Sequence, residues 1–281
     1  MNDYLLSVIL GIVEGLTEFL PVSSTAHLRI SEALLGVSLE DGYWKMFSIV
    51  IQLGAILCLP IFFRARIAEF LATFPHGRRG NRTPWNHPLT LVMTAFVCTA
   101  GPSFLLKKVI GKNLENLLLM GTALIVGGLV MWAVDSMYGD RGGAVEELEQ
   151  MSVGQAVWVG LCQNLSAIFP GTSRSMATIA AGQIAGFSRA AALEFSFLLS
   201  IPTMIAATGY DFLKYLKSSP ARVDSHQWVV LAIGFVVSFL VAYVVVAWFM
   251  NWVRRRGFVP FAIYRLIAGA AVLAWALKSG H

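Results

Sequence analysis

Charge is what this sequence has least of. Asp, Glu, Lys and Arg together make up 13% of the 281 residues, about half the share of a soluble domain. So small a fraction, beside 57% hydrophobic residues and a mean hydropathy of +0.68, excludes an ordinary water-soluble fold and points to a membrane protein. Cysteine is nearly absent. Cys58, Cys98 and Cys162 stand in apolar stretches with neither a CxxC nor a Cys/His spacing, so no disulfide and no zinc site is expected. A basic leader is missing too, since Asp3 sits where a signal peptide would be positive, and no cleavable signal is expected. No loop is long enough for a separate soluble domain, which leaves one integral membrane domain over residues 1–281. The excess of 21 basic over 16 acidic residues reads as an orientation signal in loops, with no nucleic-acid partner.

What is present is apolar and long. Six stretches suffice to span a bilayer: Met46–Phe63, Pro88–Leu106, Leu117–Val134, Ala190–Leu213, Trp228–Trp252 and Phe258–Leu277. Two more regions, about 4–35 and 152–187, pair short apolar segments interrupted by Pro and polar clusters. Neither member of a pair crosses comfortably, so each region is expected to be a re-entrant helical hairpin, buried by protein or lining a cavity. The hairpins resemble each other. A shift of 149 lays Gly11 on Gly160, Leu16 on Leu165, Pro21 on Pro170 and Ser24 on Ser173, with Glu14 on Gln163, Thr17 on Ser166 and Ser23 on Thr172. A shift of 148 then lays Phe47-Ser48 on Phe195-Ser196. With an odd number of spans between the copies, the fold class is an all-α polytopic membrane protein built as an inverted-topology repeat, approximately 1–135 and 150–281.

The polar residues of the hairpins carry the chemistry. Glu14 and Glu18 lie four apart, on one face of a helix, among apolar neighbours. A solvated helix face would have polar flanks, and this one does not. Pro21 breaks the helix, and Ser23, Ser24 and Thr25 then read as the N-cap of a second helix carrying His27. The second break, Pro170-Gly171-Thr172-Ser173-Arg174-Ser175-Met176-Ala177-Thr178, allows close backbone approach at Gly171 and a cap at Thr172 or Ser173. An arginine in apolar surroundings needs a negative partner. That partner is either structural, such as Glu14, or a phosphate, for which hydroxyls and free helix-start N–H groups are gathered around it. Together the two breaks hold the parts of a phosphoryl-transfer site. Arg174 binds an anion, Glu14 and Glu18 act as base or jointly hold a divalent cation such as Mg or Ca, and Ser24 or His27 serves as nucleophile or proton shuttle. With no extramembrane domain, the substrate presents its phosphates from within or beside the lipid.

At these residues the chain resembles the undecaprenyl pyrophosphate phosphatase family, also called bacitracin-resistance proteins. The resemblance rests on Glu14-Gly-Leu-Thr-Glu-Phe-Leu-Pro-Val-Ser-Ser-Thr with His27, and on Pro170-Gly-Thr-Ser-Arg-Ser with Thr178. Ile51-Gln52-Leu53-Gly54, Glu194-Phe-Ser-Phe-Leu-Leu and Pro260-Phe-Ala-Ile-Tyr-Arg265 also fit. It implies hydrolysis of a polyprenyl pyrophosphate lipid to the monophosphate carrier used in cell-wall synthesis, with bacitracin resistance, divalent-cation dependence and a multi-pass location in the bacterial inner membrane. It also implies a site open to the periplasmic side, and leaves a homodimer open. By the resemblance the catalytic set is Glu14, Glu18, Ser24, His27 and Arg174. The cation falls to Glu14 and Glu18, and Ser23, Thr25, Gly171, Thr172, Ser173, Ser175 and Thr178 contact substrate. Ala26 and Met176 stand where the family commonly has Gly.

Some readings are weaker. Arg64, Arg66, Arg78, Arg79 and Arg82, with Arg254, Arg255 and Arg256, fall by parity on one side, which is expected to be cytoplasmic. Lys107, Lys108, Lys112, Lys214, Lys217 and Arg222 fall on the other. The stretch Asp135–Gln150, with Glu146, Glu147 and Glu149, reads as a solvated loop. Gln52, Glu194, Tyr264 and Arg265 read as a second layer around the cavity or, for the last acid and base, as a Glu194–Arg265 pair. His76, His87, His226 and His281 are given no role. A secondary transporter or lipid flippase is the alternative function, since inverted repeats with broken helices typify transporters. The gathering of paired Glu, Arg, His and hydroxyls exceeds what recognition alone needs.

Overall fold

The computed structural model describes residues 2–37, 42–77, 83–113, 116–139, 145–218 and 224–279. Arg78, Arg79, Arg82, Arg222 and His281 lie outside the described residues, as do the side chains of Lys112 and Arg254. Among the described residues there are twelve α-helices and no strand. In order they are α1 (Asp3–Thr17), α2 (Ser24–Leu34), α3 (Gly42–Phe62), α4 (Arg64–Thr73), α5 (Pro88–Leu105), α6 (Lys107–Asn113), α7 (Leu117–Tyr138), α8 (Val153–Ile168), α9 (Arg174–Ile184), α10 (Arg189–Ser218), α11 (Ser225–Arg256) and α12 (Val259–Ser279). Six of them, α3, α5, α7, α10, α11 and α12, are long and apolar enough to cross a membrane, and they coincide with the six expected spans. The chain is a multi-pass membrane protein.

The remaining long apolar elements come in two broken pairs. A helix of 15 residues, α1, or of 16, α8, is only about 23 Å long at 1.5 Å per residue, short of the roughly 30 Å hydrocarbon core. Each is followed by a break and an 11-residue helix, α2 or α9. The pairs are seated alike. α1 packs on α11, which also packs on α3, and α8 packs on α5, which also packs on α10. Small residues let the backbones close: a Cβ at Gly11 would meet the Gly234 carbonyl on α11, and one at Gly160 the Ala95 carbonyl on α5. α7 and α12 pack on each other along their lengths.

The core runs beneath the first break. Phe19, fully buried in that break, packs edge-on against Phe197 of α10 at 5.4 Å between centroids, and Phe197 continues to Phe249 and Phe261. This anchors the non-helical segment to the core.

Two expectations about the charged residues are corrected. Asp135 is no loop residue, because α7 continues through it. Its buried carboxylate accepts from Arg189 Nε at 2.7 Å, Gln183 Nε2 at 3.2 Å and the Phe258 N–H at 2.8 Å, tying α7 to α9, α10 and the turn before α12. Glu149 is not merely solvated either. It receives both terminal nitrogens of Arg66 at 2.7 and 2.9 Å, while Arg66 Nε reaches Glu194 at 2.9 Å. Partial burial would lower the Arg66 pKa, but these carboxylates outweigh it and hold the pKa above its ordinary value. Glu194 therefore belongs to Arg66, and the expected Glu194–Arg265 pair does not form. His87 also has a partner: it is buried and accepts from the Leu89 N–H at the start of α5.

Removing one partner of a buried ionic cluster costs about 3–5 kcal/mol. Asp135→Ala is therefore expected to lower the thermal-unfolding midpoint in detergent by several degrees, whereas a change at exposed Glu146 is not.

Candidate active site

Both breaks are built on the same local device. Ser23 caps α2 and Ser173 caps α9, each accepting from the N–H three residues on, Ala26 or Met176, at 3.4 Å. Each cap residue has a positive φ, +74° and +70°. A non-glycine residue held so costs on the order of 1–3 kcal/mol, and such strain concentrates at functional sites. The shared geometry moves the correspondence between the two broken pairs. Along α1 and α8 the shift is 149, but the caps correspond at 150, so Arg174 rather than Ser173 is the counterpart of Ser24. Ala26 and Met176, the two positions that lack the family's usual Gly, then occupy one equivalent place, three residues into each helix.

Arg174 and Glu18 are brought together across 156 residues of sequence. Nη2 of Arg174 donates to Glu18 Oε1 at 2.9 Å, and both side chains are nearly buried. The structural partner of the arginine is therefore Glu18 and not Glu14. The other Glu18 oxygen, Oε2, accepts the Ser24 hydroxyl at 2.6 Å. Glu14 lies one helical turn before Glu18 and is fully buried. Among the described residues neither Glu14 oxygen has a donor, and Arg174 Nε and Nη1 have no acceptor. Buried polar atoms are ordinarily satisfied. Orphaned donors on Arg174 and orphaned acceptors on Glu14 thus accompany the Arg174–Glu18 ion pair. A cation held by one or two carboxylates and otherwise by water and phosphate oxygens fits this donor set.

His27 stands at the rim with both ring nitrogens engaged. Nδ1 is 2.7 Å from the Ser23 carbonyl and Nε2 is 2.5 Å from the Tyr264 hydroxyl. A carbonyl only accepts, so the neutral ring carries its proton on Nδ1 and takes the Tyr264 O–H at Nε2. The remaining hydroxyls divide. Ser175 is fully buried, donates to the Leu20 carbonyl at 3.0 Å and lies 3.0 Å from Ser173 Oγ. Thr178, also buried, bonds the Arg174 carbonyl and Ser196. These two hold the breaks in place. Thr25 and Thr172 are half-buried beside the helix starts. Gly171, at φ +97°, presses against the Met120 backbone and offers its carbonyl to Arg265. Of the four residues read as a second layer, Tyr264 and Arg265 reach the site, Glu194 is engaged elsewhere, and Gln52 is half-buried on α3. What sequence reasoning did not give is the partners of Arg265, main-chain carbonyls of both breaks in place of Glu194. An arginine in an apolar span with no acid one turn away was the available signal.

These groups meet between the broken helices of a multi-pass membrane protein. The chain belongs to the family described as Bacitracin resistance protein BacA, which matches residues 7–271. Its relatives include an undecaprenyl-diphosphatase of Koribacter versatilis (strain Ellin345), 67% identical over 99% of this chain and all of the relative. Another, from Bradyrhizobium sp. (strain ORS 278), is 42% identical over 96% of each chain. A third, from Caldanaerobacter subterraneus subsp. tengcongensis, is 38% identical over 94% of this chain and 93% of its own.

The histidine geometry has a direct readout. In ¹⁵N NMR of the neutral ring, Nδ1 is expected to be protonated and Nε2 bare. Tyr264→Phe should move the Nε2 resonance and leave Nδ1 in place.

Proposed function

We propose that this chain hydrolyses undecaprenyl pyrophosphate to undecaprenyl phosphate and inorganic phosphate, at the site between its two broken helix pairs. One observation carries the placement. Arg174 and Glu18 meet at 2.9 Å with Arg174 Nε and Nη1, and both oxygens of Glu14, still unsatisfied in the interior. The diphosphatase relatives, at up to 67% identity over the full chain, support the reaction and the lipid.

In this mechanism the terminal phosphate takes the free N–H groups of Arg174 while Nη2 keeps Glu18. The guanidinium then offsets charge developing on the phosphoryl oxygens. Ser24 is the nucleophile best placed for attack, since its hydroxyl already donates to a carboxylate at 2.6 Å, whereas both His27 nitrogens are engaged. The Ser24 Oγ–P bond forms, the bridging P–O bond breaks, and undecaprenyl phosphate leaves. The serine proton passes to Glu18. Water then attacks phosphorus, the Oγ–P bond breaks, Glu18 returns its proton to Oγ, and inorganic phosphate departs. His27 Nε2, released when the Tyr264 hydroxyl turns away from it, accepts the proton lost by that water. A divalent cation, Mg or Ca, would be held by Glu14 and Glu18 and would supply positive charge at the phosphate oxygens.

We further infer that the broken pairs are re-entrant hairpins in an inverted-topology repeat within a single membrane domain. What supports it is the paired seating of α1 on α11 and α8 on α5, and the matched caps at Ser23 and Ser173. The arginines around α4 and Arg255–Arg256 favour a cytoplasmic location for their end of the bundle. In that orientation the first hairpin enters from the periplasmic side of the inner membrane.

Purified protein in detergent is expected to release one phosphate per undecaprenyl pyrophosphate. Chelator should abolish release, and Glu18→Gln, His27→Ala and Arg174→Ala should each lower kcat/KM by about 10²-fold or more. Acid-quenched single turnovers should trap phosphate on Ser24. No phosphate release, alongside transfer of intact lipid across proteoliposomes, would replace hydrolysis with a flippase.

A further inference from the structure

Arg265 is the largest fully buried side chain among the described residues, and none of their carboxylates pairs with it. A guanidinium so placed is costly unless its donors are met. The two terminal nitrogens are met by main chain, while Nε has no partner among the described residues. Nη1 donates to the Pro21 carbonyl at 3.1 Å, and Nη2 to the Gly171 carbonyl at 3.0 Å and the Ala123 carbonyl at 3.1 Å. Pro21 lies in the first break and Gly171 in the second, 150 residues apart in sequence. Helix interruption leaves carbonyls without their intrahelical N–H partners, and one planar fork from α12 collects one such carbonyl from each break. Room for the fork is made on α7, where a Cβ at Gly127 would collide with Arg265 Nη2 and one at Gly128 would crowd Arg265 Cβ.

We propose that Arg265 is a positioning residue that sets the separation of the two breaks, so that Arg174 of one reaches Glu18 and the bound phosphate at the other. Ser175 contributes one direct bond between the breaks, to Leu20 O, but it lies on the α9 side alone. Arg265 is anchored on a third element and grips both. Lysine keeps the charge at this position but is a point donor that cannot hold two diverging carbonyls in a fixed plane. Gly127→Ala leaves Arg265 intact and pushes the fork aside.

The kinetic consequence rests on the phosphatase function proposed above, but the structural consequence does not, so two arms are used on the full-length protein. In the first, spin labels at Thr25 and Thr172, placed in a cysteine-free background, report the distance between the helix starts. Arg265→Lys and Gly127→Ala are each expected to broaden and shift that distance relative to the parent. In the second arm, each substitution should lower kcat by about 10–100-fold, the scale of a misplacement near 1 Å, with KM changed less than about twofold. Adding Arg265→Lys to an Arg174→Lys background should cost far less, because the lysine has no bidentate contact left to align. If Arg265→Lys does not fold in detergent, Gly127→Ala carries both arms. An unchanged distance distribution, or losses that add fully in the double variant, would overturn the positioning role. A shifted distance in a protein that releases no phosphate would uphold the brace and refute the hydrolytic function alone.

Discussion

The ion pair between Arg174 and Glu18 is the constraint on which the structure turns. It joins two segments 156 residues apart in a protein where charge is scarce and burial of charge is expensive. Neither partner is used up by the other. Glu18 keeps an oxygen for Ser24, and Arg174 keeps two buried nitrogens without acceptors. A purely structural salt bridge would close on itself with its remaining donors met. This one is open on the side where Glu14 brings two more unmet oxygens. The interior therefore keeps unmet donors and unmet acceptors about this ion pair among the described residues.

Broken helices are what make such a place buildable. An unbroken span satisfies its own backbone and offers nothing to a ligand, while a break at mid-depth frees N–H groups at one helix start and carbonyls at the end before it. Ser23 and Ser173 meet N–H groups at the starts of α2 and α9, Arg265 and Ser175 take the freed carbonyls, and Phe19 pins the first break to the core. The strain of two positive-φ serines is thus borne by contacts from α9, α10 and α12.

Much of this was legible in the sequence, and the reason is physical. In lipid, apolar length and charge placement are strongly constrained, so the six spans and the two interruptions could be read within a few residues. Glu14, Glu18, Ser24 and Arg174 were readable because polar groups at Pro-broken apolar helices are rare without a task. What could not be read was pairing. Glu194 and Arg265 lay in spans and seemed complementary, yet Arg66 on α4 reaches Glu194 and Arg265 spends its donors on carbonyls. Main-chain acceptors carry no signature in sequence, and α4 hid inside what read as a basic loop. The one-residue slip between the hairpins was hidden for a related reason. Matching Ser24 to Ser173 follows chemical identity, whereas the structure follows the cap, which pairs Ser24 with Arg174.

The most direct measurement is the binding of a non-hydrolysable polyprenyl methylenediphosphonate to the purified protein and to Arg174→Ala, by calorimetry with the cation present. If both broken helices address one diphosphate, affinity is expected to fall by about 10²-fold or more on loss of the guanidinium. Equal affinity in the two proteins would contradict a site shared by the two breaks.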